Sequence, residues 1–233
     1  TAQLPGDTAA GPATAVLAGD YDNDGRADLA VLRPAGLALL HANPAGGFTD
    51  VTAAAELVPP VENPRSAAWL DADHDGDLDL FVAGGSDAAP ATRLFRNNGT
   101  GRFTNVAAES GLTVASLVQA VVPTDFDNRR DIDVLVVSTK TAVLFRNERD
   151  GTFKDVAGDV GLRVDGGAAM AAIGDVNKDG YSDFFFPRPD GEGVLAASDG
   201  RGRFAISNGP AGSSQARAAQ FVDYDNDGLL DLF

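Results

Sequence analysis

The chain has 233 residues, 44% hydrophobic and 22% charged, an ordinary globular composition with enough apolar residues for a core. It has no cysteine, so disulfides, thiolate metal sites and cysteine nucleophiles are excluded. Its formal net charge of −16 argues against nucleic acid as a partner, which needs a basic face, and no apolar run approaches the ~18 residues of a membrane span.

In chain order, the first predicted elements are a small-residue segment, "TAVLAG" (14–19), an acidic loop, "DYDNDGRAD" (20–28), and a short apolar run, "LAVL" (29–32). A hairpin-like stretch follows, "LLHANPAGGFTDV" (39–51). The same four parts then return. The small segments are "SAAWL", "LVQAVV", "AAMAAIG" and "ARAAQFV", and the apolar runs are "LFVAG", "VLVVS", "FFFP" and "LF". The hairpin stretches are "LFRNNGTGRFTNV" (94–106), "LFRNERDGTFKDV" (144–156) and "LAASDGRGRFAIS" (195–207). The loops begin at Asp20, Asp71, Asp125, Asp175 and Asp223, at spacings of 51, 54, 50 and 48. A period near 50 marks a repeat architecture, with units at about 13–62, 63–113, 114–164, 165–212 and a partial 213–233.

The apolar runs are β-branched or aromatic and bounded by Gly, Asp and Pro, which reads as strands. Asn97, Gly99 and Gly101 are turn residues between two of them. Four short strands fill about 50 residues, so each repeat is predicted to be one antiparallel four-stranded blade of an all-β propeller. An open β-solenoid is the rival architecture, but its repeats are shorter. Small first strands suit the innermost position, where blades converge. The recurring Phe48, Phe103, Phe153 and Phe204 are expected in the core between blades, and Trp69 likewise.

Charge is concentrated in the loops. The five nine-residue stretches hold 20 acidic and four basic residues, and the rest of the chain holds 14 of each. Two carboxylates about 5 Å apart repel by roughly 3 kcal/mol at an effective dielectric near 20. A divalent ion reverses that sign, whereas a solvated acidic turn has no reason to repeat one spacing. The pattern Asp-x-Asp/Asn-x-Asp-Gly-x-x-Asp suits a hard cation such as calcium, which takes six to eight oxygens. Expected ligands are Asp20, Asp22, Asp24 and Asp28 in loop 1; Asp71, Asp73, Asp75 and Asp79 in loop 2; Asp175, Asn177, Asp179 and Asp183 in loop 4; and Asp223, Asp225, Asp227 and Asp231 in loop 5. The seventh residue of each, Arg26, Asp77, Tyr181 or Leu229, would add its carbonyl. The last acid opens the next strand. Loop 3, "DFDNRRDID", has Arg129 at the fifth position and Arg130 in place of glycine, so no ion is expected there. Arg129 would supply the charge itself, pairing with Asp125, Asp127 or Asp133.

These units resemble FG-GAP/VCBS repeats, the blades of integrin α-chain propellers and of many secreted bacterial proteins. The "LFRN…G-x-F-x-[DN]-V" stretch resembles the ASPIC/UnbV and cartilage acidic protein branch. The resemblance implies a calcium-stabilised propeller with about four ions between first and second strands, and binding or scaffolding rather than catalysis. Residues 1–4, "TAQL", read like a segment following a fourth strand, and Phe233 lies two strands into a fifth unit. The expectation is four complete blades and a partial fifth, from a propeller of about seven blades by resemblance to integrins.

The function expected is an extracellular interaction module, with one face meeting a protein or glycan partner as in cell adhesion. The alternatives are a lectin and a polysaccharide lyase-like enzyme. Catalysis finds little support: His41 and His74 read as incidental, and no zinc-protease, nucleophile-elbow or phosphate-loop motif occurs. An extracellular, cell-surface or periplasmic location is expected, because open loops of this kind bind calcium with Kd of roughly 10⁻⁴–10⁻³ M. The chain carries no signal-peptide pattern, and one is expected to have been removed.

Overall fold

The computed structural model describes residues 12–188, 191–210, 213 and 216–233. The reading of residues 1–4 lies outside them. Among the described residues the structure is all-β apart from one helical turn, with four four-stranded antiparallel sheets and one two-stranded sheet.

Each sheet is a consecutive meander. The first contains β1 (Ala15–Gly19), β2 (Asp28–Arg33), β3 (Gly36–Ala42) and β4 (Phe48–Asp50). The second contains β5 (Ser66–Leu70), β6 (Asp79–Gly85), β7 (Pro90–Asn97) and β8 (Phe103–Asn105). The third contains β9 (Val118–Thr124), β10 (Asp133–Ser138), β11 (Ala142–Asn147) and β12 (Phe153–Asp155). The fourth contains β13 (Ala172–Gly174), β14 (Asp183–Phe186), β15 (Val194–Ser198) and β16 (Phe204–Asn208). The last pairs β17 (Phe221–Val222) with β18 (Asp231–Leu232). This is the blade of a β-propeller, and each predicted strand run is found in it. The turn α1 (Ala107–Ser110), closed by Gly111 in the left-handed region (φ 75°), has no counterpart in the sequence reading.

The second strands explain the apolar runs. All six residues of β10 and all four of β14 are buried, as are six of the seven in β6. A strand covered on both faces loses the alternation of a half-exposed one and reads as a continuous apolar run.

The chain divides into two compact units, one holding residues up to 118 with 148–153, the other 119–147 with 154–233. The first has a core of Tyr21, Leu39, Leu80, Val82, Phe95 and Phe103, with Trp69 packed against it. The second is centred on Phe126, Leu135, Leu144, Phe184, Phe186 and Phe204. Each such side chain contributes roughly 1.5–3 kcal/mol on full burial. Phe103 packs against Tyr21 of the preceding repeat with ring centroids 5.8 Å apart, and Phe204 against Phe126 at 6.2 Å. Phe103, Phe153 and Phe204 are buried, whereas Phe48 is half-buried, having no preceding repeat among the described residues to pack on.

The small residues closing the first strands have a steric cause. A Cβ on Gly19, the last residue of β1, would lie 2.8 Å from the Trp69 indole on β5. A Cβ on Gly174, at the same place in β13, would lie 2.8 Å from Leu230 Cδ1.

Candidate metal sites

Every acidic loop joins the first strand of a sheet to the second. The ninth residue pairs with the last residue of the first strand: Asp28 with Gly19, Asp79 with Leu70, Asp183 with Gly174, Asp231 with Val222. The fourth residue turns left-handed, at Asn23, His74, Asn128, Lys178 and Asn226. So does the sixth, where glycine stands in four loops and Arg130 in the third (φ 68°). Two left-handed residues curl the backbone back over its own carboxylates, and glycine accepts this most readily.

The curled backbone then binds the acids. The first carboxylate accepts the sixth residue's N–H: Gly25 to Asp20 (2.8 Å), Gly76 to Asp71 (3.1 Å), Arg130 to Asp125 (2.9 Å), Gly180 to Asp175 (2.8 Å) and Gly228 to Asp223 (3.0 Å). The fifth accepts the seventh residue's N–H: Arg26 to Asp24 (2.9 Å), Asp77 to Asp75 (2.9 Å), Tyr181 to Asp179 (2.8 Å) and Leu229 to Asp227 (2.7 Å). In four sheets the ninth accepts an N–H from the end of the third strand: Ala42 to Asp28 (2.7 Å), Asn97 to Asp79 (2.7 Å), Asn147 to Asp133 (2.8 Å) and Ser198 to Asp183 (2.6 Å). The ninth acid therefore fastens the loop to the sheet as well as facing its centre.

The structure brings the first, third and ninth acids together. Carboxylate oxygens of Asp20, Asp22 and Asp28 lie within 4.8 Å of one another, as do those of Asp71, Asp73 and Asp79, of Asp125, Asp127 and Asp133, and of Asp223, Asp225 and Asp231. Asp24 is grouped instead with Asp22 and His41. In loop 4, Asn177 Oδ1 accepts the Asp179 N–H (3.0 Å) and its Nδ2 donates to the Ser198 carbonyl (3.0 Å).

The electrostatics are those of crowded, buried like charges. Asp28, Asp79, Asp133 and Asp183 are fully buried. Burial pushes Asp79 and Asp133 up to about 7 and raises Asp28 and Asp183. Asp73 is also raised, by burial first and then by Asp75. Asp71 Oδ1, Asp73 Oδ1 and Asp223 Oδ1 are shielded from solvent without a hydrogen-bond partner. Clustered carboxylate oxygens of this kind are the donor type that hard cations take.

Loop 3 is different. Arg129 Nε stands 2.8 Å from Asp127 Oδ2, and Arg129 Nη2 donates to the Asn147 carbonyl at 3.0 Å. In loop 1, Arg26 takes a related course from the seventh position, pairing with Asp24 and donating through Nε to the Ala42 carbonyl at 2.9 Å.

Three sets of residues escaped the sequence reading. His41 Nδ1 is 3.2 Å from Asp22 Oδ2 and 3.3 Å from Asp28 Oδ1. Arg96, at the same place in the next repeat, has Nε 4.0 Å from Asp73 Oδ2. The aligned "LLHA" and "LFRN" segments carried that signal. Asn23 and Asn128, at the fourth position, reach neighbouring loops, donating to Asp77 Oδ1 (2.8 Å) and to the Gly180 carbonyl (2.7 Å).

Blades that each carry an acidic, oxygen-rich loop between first and second strands define a propeller-type repeat protein. The chain belongs to the FG-GAP-like repeat family, whose model matches residues 20–82, 125–186 and 175–233. Its fold is similar to that of an Agrocybe aegerita lectin that recognises non-reducing terminal N-acetylglucosamine, at 17% identity and a TM-score of 0.55, over 94% of this chain and 59% of that one. It is also similar to BBS1N, solved in complex with ARL6DN, at 13% identity and a TM-score of 0.52, over 85% of this chain and 58% of that one. At these identities the likeness is one of fold, and the chain spans under three fifths of either structure. No curated protein matches the sequence. No helix among the described residues is long and apolar enough to cross a membrane.

Proposed function

We propose that the chain is a calcium-stabilised, extracellular-type binding module. Loops 1, 2, 4 and 5 would each hold one ion, and an outer surface would meet a protein or glycan partner. The reading rests on one observation above all: the same three loop positions bring carboxylates together in loops 1, 2 and 5, and Asp71, Asp73 and Asp223 each keep a shielded oxygen without a proton donor. In loop 2 the holders would be Asp71, Asp73 and Asp79, with Asp75 and the Asp77 carbonyl as further donors. Bound calcium would neutralise the cluster and tie the first and second strands together. Its role is structural, and binding rather than catalysis is the function that follows. Membership of the FG-GAP-like repeats, typical of extracellular proteins, supports the location. Isothermal titration with calcium tests the reading directly: about four equivalents should bind, and magnesium should compete poorly because it demands tighter octahedral geometry. Absence of calcium binding would overturn it.

A glycan is the favoured partner class, on the observation that a lectin shares the fold. A glycan array probed with the calcium-loaded protein tests it. A blank array would move the assignment to a protein partner.

A further inference from the structure

We propose that a pocket at the β6–β7 hairpin end of the second sheet binds the carboxylate of an acidic sugar residue, a uronate or a sialate, through Arg93. The proposal rests on the reading of the chain as a glycan-binding module and names the class of glycan. It does not involve the acidic loops: β6 leaves its loop at Asp79, and Arg93 pairs with Val82, three residues further toward the hairpin.

The strand register singles Arg93 out. The same place on each second strand, at Val31, Val82, Val136 and Phe186, pairs with Ala38, Arg93, Val143 and Val194 respectively. Three repeats put a small or branched apolar side chain there, and one puts a cation. Arg93 alternates along β7 with Ala91 and Phe95 on one face, and both of those pack in the core of the first unit. A guanidinium stays charged in a protein, and burying charge is costly unless it is paired. Arg93 is half-buried, and its Nε is shielded from solvent without a hydrogen-bond partner. Its side chain makes one hydrogen bond among the described residues, from Nη1 to the Thr92 carbonyl at 2.8 Å, and no ion pair. The charge is left for a ligand to compensate.

The pocket that Arg93 lines has a volume of about 370 Å³, at the small end of ligand sites, with room for one sugar residue. Glu62, Asn63 and Ser86 line it too, between Pro60 and Pro90, all within the first unit. The Gly85 N–H donates to the Glu62 carbonyl at 2.8 Å, which fastens the 60–63 segment to the hairpin. Ser86 Oγ accepts the Ala89 N–H at 3.2 Å and keeps its own proton to donate. The Glu62 and Asn63 side chains make no hydrogen bond among the described residues. One cation among hydroxyl, amide and carboxylate groups suits a ligand with one carboxylate and several hydroxyls: the carboxylate meets Arg93, and the hydroxyls meet the other three. An acidic peptide side chain would use the cation alone. The exposed Glu62 and the net charge of −16 work against ligands with clustered anionic groups.

The test is a saturation-transfer NMR titration of the whole chain with methyl glucuronide, methyl sialoside and methyl glucoside, and with acetate and inorganic phosphate as competitors. One of the two acidic sugars should bind at least about tenfold more tightly than the glucoside, and the arm that binds names the sugar. Acetate or phosphate at equal concentration should not displace it. Arg93→Val, which brings in the side chain of the third and fourth repeats, should lower that affinity at least about tenfold with an unchanged circular dichroism spectrum. Arg93→Gln provides a second variant. Arg163→Gln, exposed in the other unit, should change nothing. Equal binding of the glucoside, displacement by acetate or phosphate, or undiminished binding by both Arg93 variants would overturn the proposal while leaving the glycan reading standing. Binding of no sugar would overturn it too, and a blank glycan array would then take that reading with it.

Discussion

Asn97 Nδ2 donates a 2.7 Å hydrogen bond to the carbonyl oxygen of Tyr21, so the end of β7 in the second sheet is tied to the acidic loop of the first. Asn97 is 2% exposed and uses its other groups too, its N–H on Asp79 and its Oδ1 on the Gly99 N–H. Asn97→Ala leaves a buried carbonyl without its donor, which costs about 1–3 kcal/mol. Urea unfolding should show that loss in EDTA and in calcium alike, because the bond lies outside the carboxylate cluster. A loss confined to the calcium-loaded protein would mean that Asn97 acts on the ion instead.

Calcium should raise the melting temperature well above its value in EDTA. An ion bound by the folded state alone stabilises it by about 2.7 kcal/mol per site at a hundredfold excess over Kd. Asp24→Ala and Asp75→Ala should each reduce the shift by removing a donor, while changing the EDTA melt little. Coincident melts in EDTA and millimolar calcium would mean that the loops are solvated turns.

In loop 3, Arg129 puts a positive charge beside Asp127, with Nε 2.8 Å from Asp127 Oδ2. Arg129→Ala leaves Asp125, Asp127 and Asp133 facing one another and removes the bond to the Asn147 carbonyl. Stability should fall by about 1–3 kcal/mol, measured by chemical denaturation in EDTA. Arg130→Gly should have the opposite sign, since a non-glycine residue in the left-handed region costs roughly 1–2 kcal/mol. An anomalous map of calcium-grown crystals should show no peak at loop 3.

Burial sets the pH dependence of the calcium-free protein. Asp79 and Asp133 rise from 3.8 to about 7 in the folded state, so between those values the native state holds protons that the unfolded state has released. Stability in EDTA should therefore decline as pH rises from about 4 to about 7, then level off. Asp133→Asn keeps an acceptor for the Asn147 N–H and removes the titrating charge, so its decline should be shallower. Stability measured by urea across this range checks the slope, and a rise with pH would contradict it.

The repeat, its strands and the positions of the loop carboxylates are legible from the residues alone, because these are short-range properties. A fully buried strand must read as an apolar run, as at Phe184–Phe186, and a twice left-handed turn favours glycine, as at Gly76 and Gly180. Fixed spacing within nine residues also sufficed to nominate Asp71, Asp73 and Asp79 as neighbours. Which other atoms meet them depends on the packing of the folded chain. His41 reaches Asp28 through the β2–β3 register, in which Leu29 faces Leu40, and Asn97 reaches Tyr21 from another repeat. Phe103 is buried where Phe48 is not, although both close the same motif, because Tyr21 of the preceding repeat covers only Phe103. Such contacts depend on how strands pair and which sheet face is covered, and a periodic sequence writes the same residues wherever those differ.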